Sequence, residues 1–144
     1  MVHVAIMKKS WELVPKILSG EKTIESRWYK TKRAPWGKIF LGDTVYFKNS
    51  GEPVTVCATV SQVKEFKSLT FKSIKGILEQ YGKKDGISPE KIPEFVKLFA
   101  GKKYCLLIYL KDPHQIKPFE ILKKGFGMMS AWITTEKIAS LRSQ

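Results

Sequence analysis

The sequence predicts an α+β domain in which a small, partly closed antiparallel β-barrel is flanked by helices. Its 144 residues are enough to bury one core without disulfides or metals, so a single domain over residues 1–144 is expected. Short apolar or alternating segments separated by turn residues predict the strands. Segments with apolar residues at helical spacing predict the helices.

The first half of the chain predicts four strands and one helix. The strands are expected over residues 2–7, 23–29, 44–48 and 54–63, separated by turns and by a loop at 31–38. Before the second strand, Ser10 is expected to cap a helix that places Leu13, Ile17 and Leu18 on one face. Gly20 should end this helix, since glycine readily adopts the left-handed conformation that closes helices.

The second half predicts two helices followed by further strands. The first helix is expected after Ser68 or Thr70, and its apolar face should consist of Phe71, Ile74, Ile77, Leu78 and Tyr81. The second is expected after Ser88, with Phe95, Leu98 and Phe99 facing the core. The apolar run at 104–110 should be the central strand. Residues 116–122 should form a separate short edge strand, because Pro118 cannot donate to a neighbour. A strand at 132–134 and a terminal helix at 135–141 complete the prediction.

The charge balance is the most unusual property of the composition. The 26 Lys and Arg residues outnumber the 13 Asp and Glu residues, which gives a formal net charge of +13. A field of this sign attracts polyanions, so nucleic acid is the expected partner. A lysine-rich surface that only solvates the protein is the alternative.

Several other classes of site are not indicated. Cys57 and Cys105 each lie in an apolar, β-branched run and lack the spacing of a zinc or redox site. His3 and His114 have no carboxylate or cysteine at ligand spacing, so no metal and no cofactor is expected. No secretion signal or membrane-spanning run is recognised, which leads us to expect a cytoplasmic protein without a membrane partner.

Residues 20–38 combine cations with aromatic rings. Cations attract phosphates and flat rings accept unstacked bases, so the segment predicts contact with a nucleic-acid strand. Its expected binding residues are Lys22, Thr23, Glu25, Arg27, Trp28, Lys30, Lys32, Arg33, Trp36 and Lys38. Trp36 should be the exposed ring, because Pro35 and Gly37 place it on a loop whose cations form a rim. Core packing of the rings and a merely solvated loop are the alternatives.

Lys22, Glu25 and Arg27 admit three interpretations. In a binding site, the two cations would grip a phosphate or a base carbonyl while Glu25 accepts from an exocyclic amine. In a catalytic site, Glu25 would act as general base on water while Lys22 stabilises an oxyanion. In a structural role, Glu25 and Arg27 would pair on one face of a strand.

A second segment of interest lies near the C-terminus. Lys124, Gly125, Phe126 and Gly127 could let the backbone approach a ligand and offer N–H groups to an anion. The alternative is a tight turn that packs Phe126 and Trp132 into the barrel.

The motif Ile-Leu-Ser-Gly-Glu-Lys-Thr-Ile-Glu-Ser-Arg at residues 17–27 contains the pattern Gly20-x-Lys22-x-x-Glu25-x-Arg27, and a strand starting Leu-Gly-Asp-Thr-Val-Tyr-Phe follows it. These motifs resemble ASCH domains, which belong to the PUA-like superfamily of small β-barrels and are related to EVE and YTH domains. The resemblance is best over residues 1–65. The apolar strand at 104–110 and the segment 118–132 fit the C-terminal half of the family.

The resemblance implies a PUA-like barrel with an RNA-binding cleft, and comparison with EVE-like relatives places residues 124–127 along it. One branch of the family comprises amidohydrolases that cleave N4-acetylcytidine, in which a lysine matching Lys22 is catalytic and a threonine matches Glu25. Glu25 lacks that hydroxyl, and only Glu65 or Glu79 could supply the further glutamate of the branch. Some ASCH proteins are connected with RNA cleavage, which leaves a nuclease open.

The resulting hypothesis is a nucleic-acid-binding domain, for RNA rather than DNA, that recognises a base or nucleotide in a basic cleft. The alternative is a hydrolase acting on RNA or on a modified nucleoside such as N4-acetylcytidine, with Lys22 and Glu25 as its catalytic residues. A protein-interaction module is the third interpretation.

Overall fold

The computed structural model describes residues 1–122 and 131–142 of the chain. Its strands are β1 (Val2–Met7), β2 (Ile24–Tyr29), β3 (Thr44–Asn49), β4 (Val54–Phe66), β5 (Tyr104–Phe119) and β6 (Trp132–Thr135). Its helices are α1 (Leu13–Ser19), α2 (Phe71–Tyr81) and α3 (Ile92–Phe99), with 3-10 turns at Lys9–Trp11, Pro89–Lys91 and Ile138–Ser140. The α+β class predicted from the sequence is confirmed.

The strands form one six-stranded sheet in the order β2-β5-β4-β3-β1-β6, curled into a half-barrel. The long strands β4 and β5 carry register shifts between Val54 and Val56, Cys57 and Thr59, and Val60 and Gln62. Such bulges bend a strand and increase its twist, which lets the sheet curl. One pairing departs from the predicted antiparallel barrel. Strands β1 and β3 run parallel, because α1 and β2 lie between them in the chain and provide the crossover that a parallel pair needs.

Two apolar clusters cover opposite faces of β5. Leu106 and Ile108 point into the barrel, where they belong to the same cluster as Phe47. Cys105 and Leu107 point outward and pack beneath α2 and α3. A strand that is buried on both faces needs apolar residues at successive positions, which explains the continuous apolar run at 104–110.

The first helix begins later than predicted. Ser10 lies inside the 3-10 turn and makes no capping bond, and Glu12 adopts a left-handed conformation at φ 54° before α1 starts. The helix therefore buries Val14 and Ile17 and leaves Leu18 37% exposed. Its end was predicted correctly, since Gly20 closes it with φ 84°.

The extent of α2 matches its prediction, whereas one apolar residue on each of α2 and α3 faces outward. Thr70 caps α2 by accepting from the Ser73 N–H. Phe71, in the first turn of α2, and Leu98, on α3, are exposed rather than buried. On α3 the fully covered side chain is Val96, and Phe95 and Phe99 pack half-buried against the same cluster as predicted, so only Leu98 departs from the predicted face.

Two predictions for the C-terminal part were wrong. The proposed edge strand at 116–122 is the second half of β5, which continues to Phe119. Pro118 is tolerated because it lies where the β4–β5 register slips, between the pairs Val56–Gln115 and Val54–Phe119. The proposed terminal helix is reduced to the 3-10 turn at Ile138–Ser140.

A buried histidine joins three parts of the barrel. The His3 ring lies 2.9 Å from Asp43 Oδ2 through Nε2 and accepts from the Trp132 indole through Nδ1 at 3.1 Å. Thr134 Oγ1 lies 3.0 Å from the same Nδ1. An indole N–H can only donate, so the proton of His3 resides on Nε2. The prediction that His3 is isolated from carboxylates was therefore wrong, because Asp43 is distant only in sequence.

Burial lowers the pKa of His3, although the Asp43 carboxylate opposes this effect. The stabilisation by neutral His3 is complete above pH 6.5, the ordinary value, and is lost as the pH falls below it, since the unfolded chain binds the proton more readily. We expect the free energy of unfolding to fall by up to ~1.4 kcal/mol per pH unit below that value. Urea denaturation between about pH 8 and pH 5 measures this slope.

The control for this measurement is the second histidine of the chain. His3→Gln should flatten the curve between pH 6.5 and about pH 5, whereas His114→Gln, at an exposed position, should retain the wild-type slope. Parallel curves for wild type and His3→Gln would contradict the assignment.

Candidate functional site

Lys22 is a fully buried cation two residues before β2. Its side chain is 1% exposed, and its Nζ donates to the carbonyl oxygens of Ile24 and Asp85, each at 2.6 Å. The same nitrogen lies 2.5 Å from Asp85 Oδ1 and 3.1 Å from Glu25 Oε1. An ammonium group has three N–H donors, so the protein itself saturates Lys22.

Asp85 comes from the loop that follows α2. Besides Lys22, its carboxylate accepts from Ser26 through the hydroxyl at 2.5 Å and the backbone N–H at 3.2 Å. The next residue must be glycine. Gly86 has φ 80°, and a Cβ at this position would lie 3.3 Å from the side chains of both Leu13 and Lys22. This loop therefore packs directly against the buried ammonium group.

Glu25 lies between two cations. Its Oε1 faces Lys22, and its Oε2 accepts from Arg27 through Nε at 3.0 Å and Nη2 at 2.7 Å. Together with Asp85, these side chains form a group of two cations and two carboxylates, which we call the charged cluster (Lys22, Glu25, Arg27, Asp85). Its formal charges cancel, which is the condition under which buried charges are tolerated.

Arg27 connects the two edges of the open barrel. It lies on the edge strand β2, and its Nη1 donates to the Ala131 carbonyl at 3.3 Å, beside the opposite edge strand β6. The guanidinium also lies 5.0 Å from the centre of the Trp132 ring and 3.4 Å from the sulfur of Met7. The side chain remains 14% exposed, so Arg27 both closes the barrel mouth and reaches solvent.

Burial and mutual attraction set the protonation of the cluster. Burial alone would lower the pKa of Lys22, but the charges of Asp85 and Glu25 raise it. For Glu25, burial is outweighed by Lys22 and Arg27, and its pKa is lowered. Burial raises the pKa of Asp85, and the Glu25 charge adds to this effect against the attraction of Lys22. Glu25 thus lies between two cations, whereas Asp85 faces one.

The charged cluster forms the floor of a cleft of about 510 Å³. The cleft lies between the end of β1 with the following turn, strand β2, the loop after Asp85, and α3. Its apolar wall includes Trp11, Leu13, Phe95, Leu98 and Phe99. Four lysines and two glutamates complete the charged lining: Lys8, Lys16, Lys91, Lys102, Glu12 and Glu94. Anionic and flat groups could both be accommodated there.

The structure brings part of the predicted site together. Of the residues predicted from the sequence, Lys22, Glu25, Arg27 and Trp28 line this cleft. Trp28 is 8% exposed and stacks on Phe99 at 4.5 Å, so its ring belongs mainly to the core. Thr23 lies beside the cleft without lining it, and its backbone bonds to Lys84 and Leu110.

The predicted loop residues lie elsewhere on the surface. Lys30, Lys32, Arg33 and Lys38 are exposed and do not line the cleft. Trp36 is half-buried rather than exposed, and it meets Tyr104 edge-on at 5.3 Å. The predicted residues Lys124, Gly125, Phe126 and Gly127 lie outside the described part of the chain.

Sequence reasoning missed Asp85, Ser26, Trp11 and Phe95. The segment Lys83-Lys84-Asp85-Gly86 has only the composition of a helix end, and Trp11 stands apart from the motif at residues 20–27. A buried lysine needs a carboxylate partner, which is the one signal that could have prompted a search for Asp85.

The described residues show neither a metal-binding cluster nor a membrane-spanning helix. Among residues 1–122 and 131–142, no group of three or more His, Cys, Asp and Glu side chains could hold a metal ion. In the same residues, no helix is long and apolar enough to cross a membrane. His114 was predicted to be isolated, but its Nε2 lies 3.0 Å from the thiol of Cys57 on the neighbouring strand.

The half-barrel with flanking helices and a cleft at its mouth is an α+β fold. The chain is similar in structure to ASCH from Zymomonas mobilis, with a TM-score of 0.68 and 19% identity over 99% of this chain and 96% of that one. It is also similar to the N-terminal domain of McrB from Staphylothermus marinus, with a TM-score of 0.52 and 17% identity over 81% and 75% of the two chains. No family model and no curated protein matches the sequence.

The chain therefore has the fold of ASCH domains, which confirms the resemblance seen in its motifs. At these identities the similarity concerns the fold alone.

The charged cluster makes a prediction about stability. Lys22→Met leaves two buried carboxylates opposite one cation, and it should lower the free energy of unfolding by about 3–5 kcal/mol. The double variant Lys22→Met/Asp85→Asn restores charge balance, so it should be more stable than Lys22→Met alone. Urea denaturation of both variants and of Asp85→Asn measures the coupling.

Lys83→Met is the matched control, because Lys83 is an exposed lysine of the same loop. It should change the free energy of unfolding by no more than about 0.5 kcal/mol. Additive costs for Lys22→Met and Asp85→Asn would show that the two side chains do not act as a pair.

Proposed function

We propose that this protein binds RNA and seats one unstacked nucleotide in the cleft above the charged cluster. The observation that carries the proposal is the combination, in one cleft, of an aromatic wall, a polar floor and outer lysines. The face of a base is complementary to the aromatic wall, and its hydrogen-bonding edge is complementary to the polar floor. The phosphate of the nucleotide is complementary to the lysines.

The aromatic wall is suited to a base. Trp11 is 38% exposed, and its ring meets Phe95 edge-on at 5.4 Å. The ammonium group of Lys8 lies 5.2 Å from the Trp11 ring centre. A base stacked on such a ring contributes about 1–3 kcal/mol and does so for any sequence, because every base has a flat face.

The floor is suited to the edge of that base, with Arg27 rather than Lys22 as the contacting group. Lys22 is saturated by four oxygen atoms and so serves to position Glu25 and Asp85. The Arg27 guanidinium has five N–H groups, of which four meet Glu25, Met7 or Ala131. One Nη1 N–H has no partner among the described residues, and the Arg27 side chain is 14% exposed.

A hydrolase acting on RNA or on a modified nucleoside is the second candidate. It is favoured by Asp85, a carboxyl group of raised pKa next to the cleft, since general acids have this property. It is disfavoured by Lys22, because Ile24, Asp85 and Glu25 already occupy its three N–H donors and leave none to stabilise an oxyanion. RNA binding explains the aromatic wall, the polar floor and the outer lysines of the cleft, whereas the hydrolase candidate explains only Asp85.

The binding proposal predicts a specific loss of affinity. Trp11→Ala should weaken binding of a fluorescein-labelled single-stranded RNA by about 5- to 150-fold, the equivalent of ~1–3 kcal/mol of stacking. Fluorescence anisotropy at fixed salt measures the dissociation constant, and circular dichroism shows whether the variant is folded. Phe40→Ala is the control, because Phe40 is a 59% exposed ring outside the cleft. Equal losses in both variants would contradict the assignment of the cleft.

The choice between binding and hydrolysis has a direct test. Incubation with labelled RNA and with a panel of acylated and methylated nucleosides, followed by mass spectrometry, should return every substrate unchanged. A product that forms with wild type and with Lys83→Met but not with Asp85→Asn would instead establish the hydrolase and identify Asp85 as part of it.

A further inference from the structure

We propose that a second surface binds the phosphates flanking the nucleotide in the cleft, so that the partner is a polynucleotide strand and not a free nucleoside. The surface, which we call the basic face, consists of Lys30, Lys32, Arg33, Lys67, Lys102 and Lys103. This inference rests on the proposed function, because it extends the same binding site.

The fold assembles the basic face from three separate segments. Strand β2 ends beside the start of β5, where Tyr29 pairs with Tyr104 and the Lys103 N–H donates to the Tyr29 carbonyl at 2.9 Å. The segment after β4 joins them, since the Leu69 N–H donates to the Lys103 carbonyl at 3.1 Å. Lysines that are far apart in sequence therefore meet at one end of the barrel.

The basic face carries no compensating acid nearby in the chain. Residues 26–42, 66–78 and 95–111 contain no Asp or Glu. Within the described part of the chain, none of the cations of this face forms an ion pair. Lys102 is half-buried and the others are exposed. An uncompensated cluster of this kind attracts polyanions and releases their counterions on binding.

The basic face is continuous with the cleft. Lys102 lines the cleft, and Lys103 follows it in the chain. On the other side, the Lys32 ammonium lies 5.9 Å and 5.6 Å from the rings of Trp36 and Tyr104, so half-buried rings are interleaved with the cations. A strand leaving the cleft past Lys102 would reach this surface directly.

Repeated cations favour a strand over a nucleoside. A nucleoside has no phosphate and a mononucleotide has one, whereas a strand presents one phosphate at every residue. Single-strand-binding barrels that combine a cationic groove with aromatic platforms cover about 4–16 nucleotides. An octanucleotide is therefore long enough to occupy both the cleft and the basic face.

The test compares ligand length with two charge-matched variants. Lys30→Gln/Lys103→Gln removes one cation from each side of the basic face. Lys111→Gln/Lys117→Gln removes the same charge from exposed positions roughly 20 and 40 Å further along β5. Dissociation constants for a mononucleotide and for a single-stranded RNA octamer are measured against salt concentration, by calorimetry and anisotropy respectively.

Wild type should bind the octamer more tightly than the mononucleotide. The basic-face variant should lose about 25-fold in octamer affinity at about 0.1 M salt, and its log–log salt slope should be shallower by about 1.4, or 0.7 per lost phosphate contact. The Lys111→Gln/Lys117→Gln variant should keep the wild-type slope, and mononucleotide affinity should be unchanged in both.

The outcomes separate the two proposals. Equal losses in the two variants, or an octamer that binds no better than a mononucleotide, would overturn the basic face while leaving the cleft in place. Octamer binding that depends on Lys30 and Lys103 but not on Trp11 would support the basic face and overturn the cleft. If neither ligand binds wild type, both proposals are wrong.

Discussion

The cleft depends on one buried ammonium group. Lys22 holds Glu25 from β2 and Asp85 from the loop after α2 around the same nitrogen, and desolvating that group is tolerable only because both carboxylates surround it. The backbone strengthens the junction, since Thr23 and Ile24 donate to the Lys84 carbonyl. The position of the loop, and of α3 beyond it, is therefore coupled electrostatically to the first residues of β2.

Arg27 extends the same charge network across the barrel mouth. Through Glu25 it is tied to Lys22, and through Ala131 and Trp132 it meets the strand at the opposite edge of the sheet. Trp132 in turn donates to His3. A half-barrel has two free edges, and polar side chains rather than a strand ladder hold these edges together. The floor of the cleft thus consists of charged side chains that are paired with one another.

The sequence predicted local features better than long-range ones. The strand at Val2–Met7, the cap at Thr70 and the helix end at Gly20 were predictable because each depends on a few neighbouring residues. Glu25 and Arg27 could be paired in advance for the same reason. The partnership of Lys22 with Asp85, and of His3 with Asp43, could not be predicted, because each joins residues brought together only by the complete fold.

The cations of the chain fall into two groups, those buried in the charged cluster and those exposed on the surface. The motif around Lys22 and Arg27 is largely neutralised by Glu25 and Asp85, so it contributes little to the field that a polyanion meets. The lysines of the loop after β2, the turn before β5 and the segment after β4 are not neutralised, and the sheet register places them beside one another. In the proposed nucleotide site, motif residues therefore define the shape while residues outside the motif supply most of the attraction for phosphate.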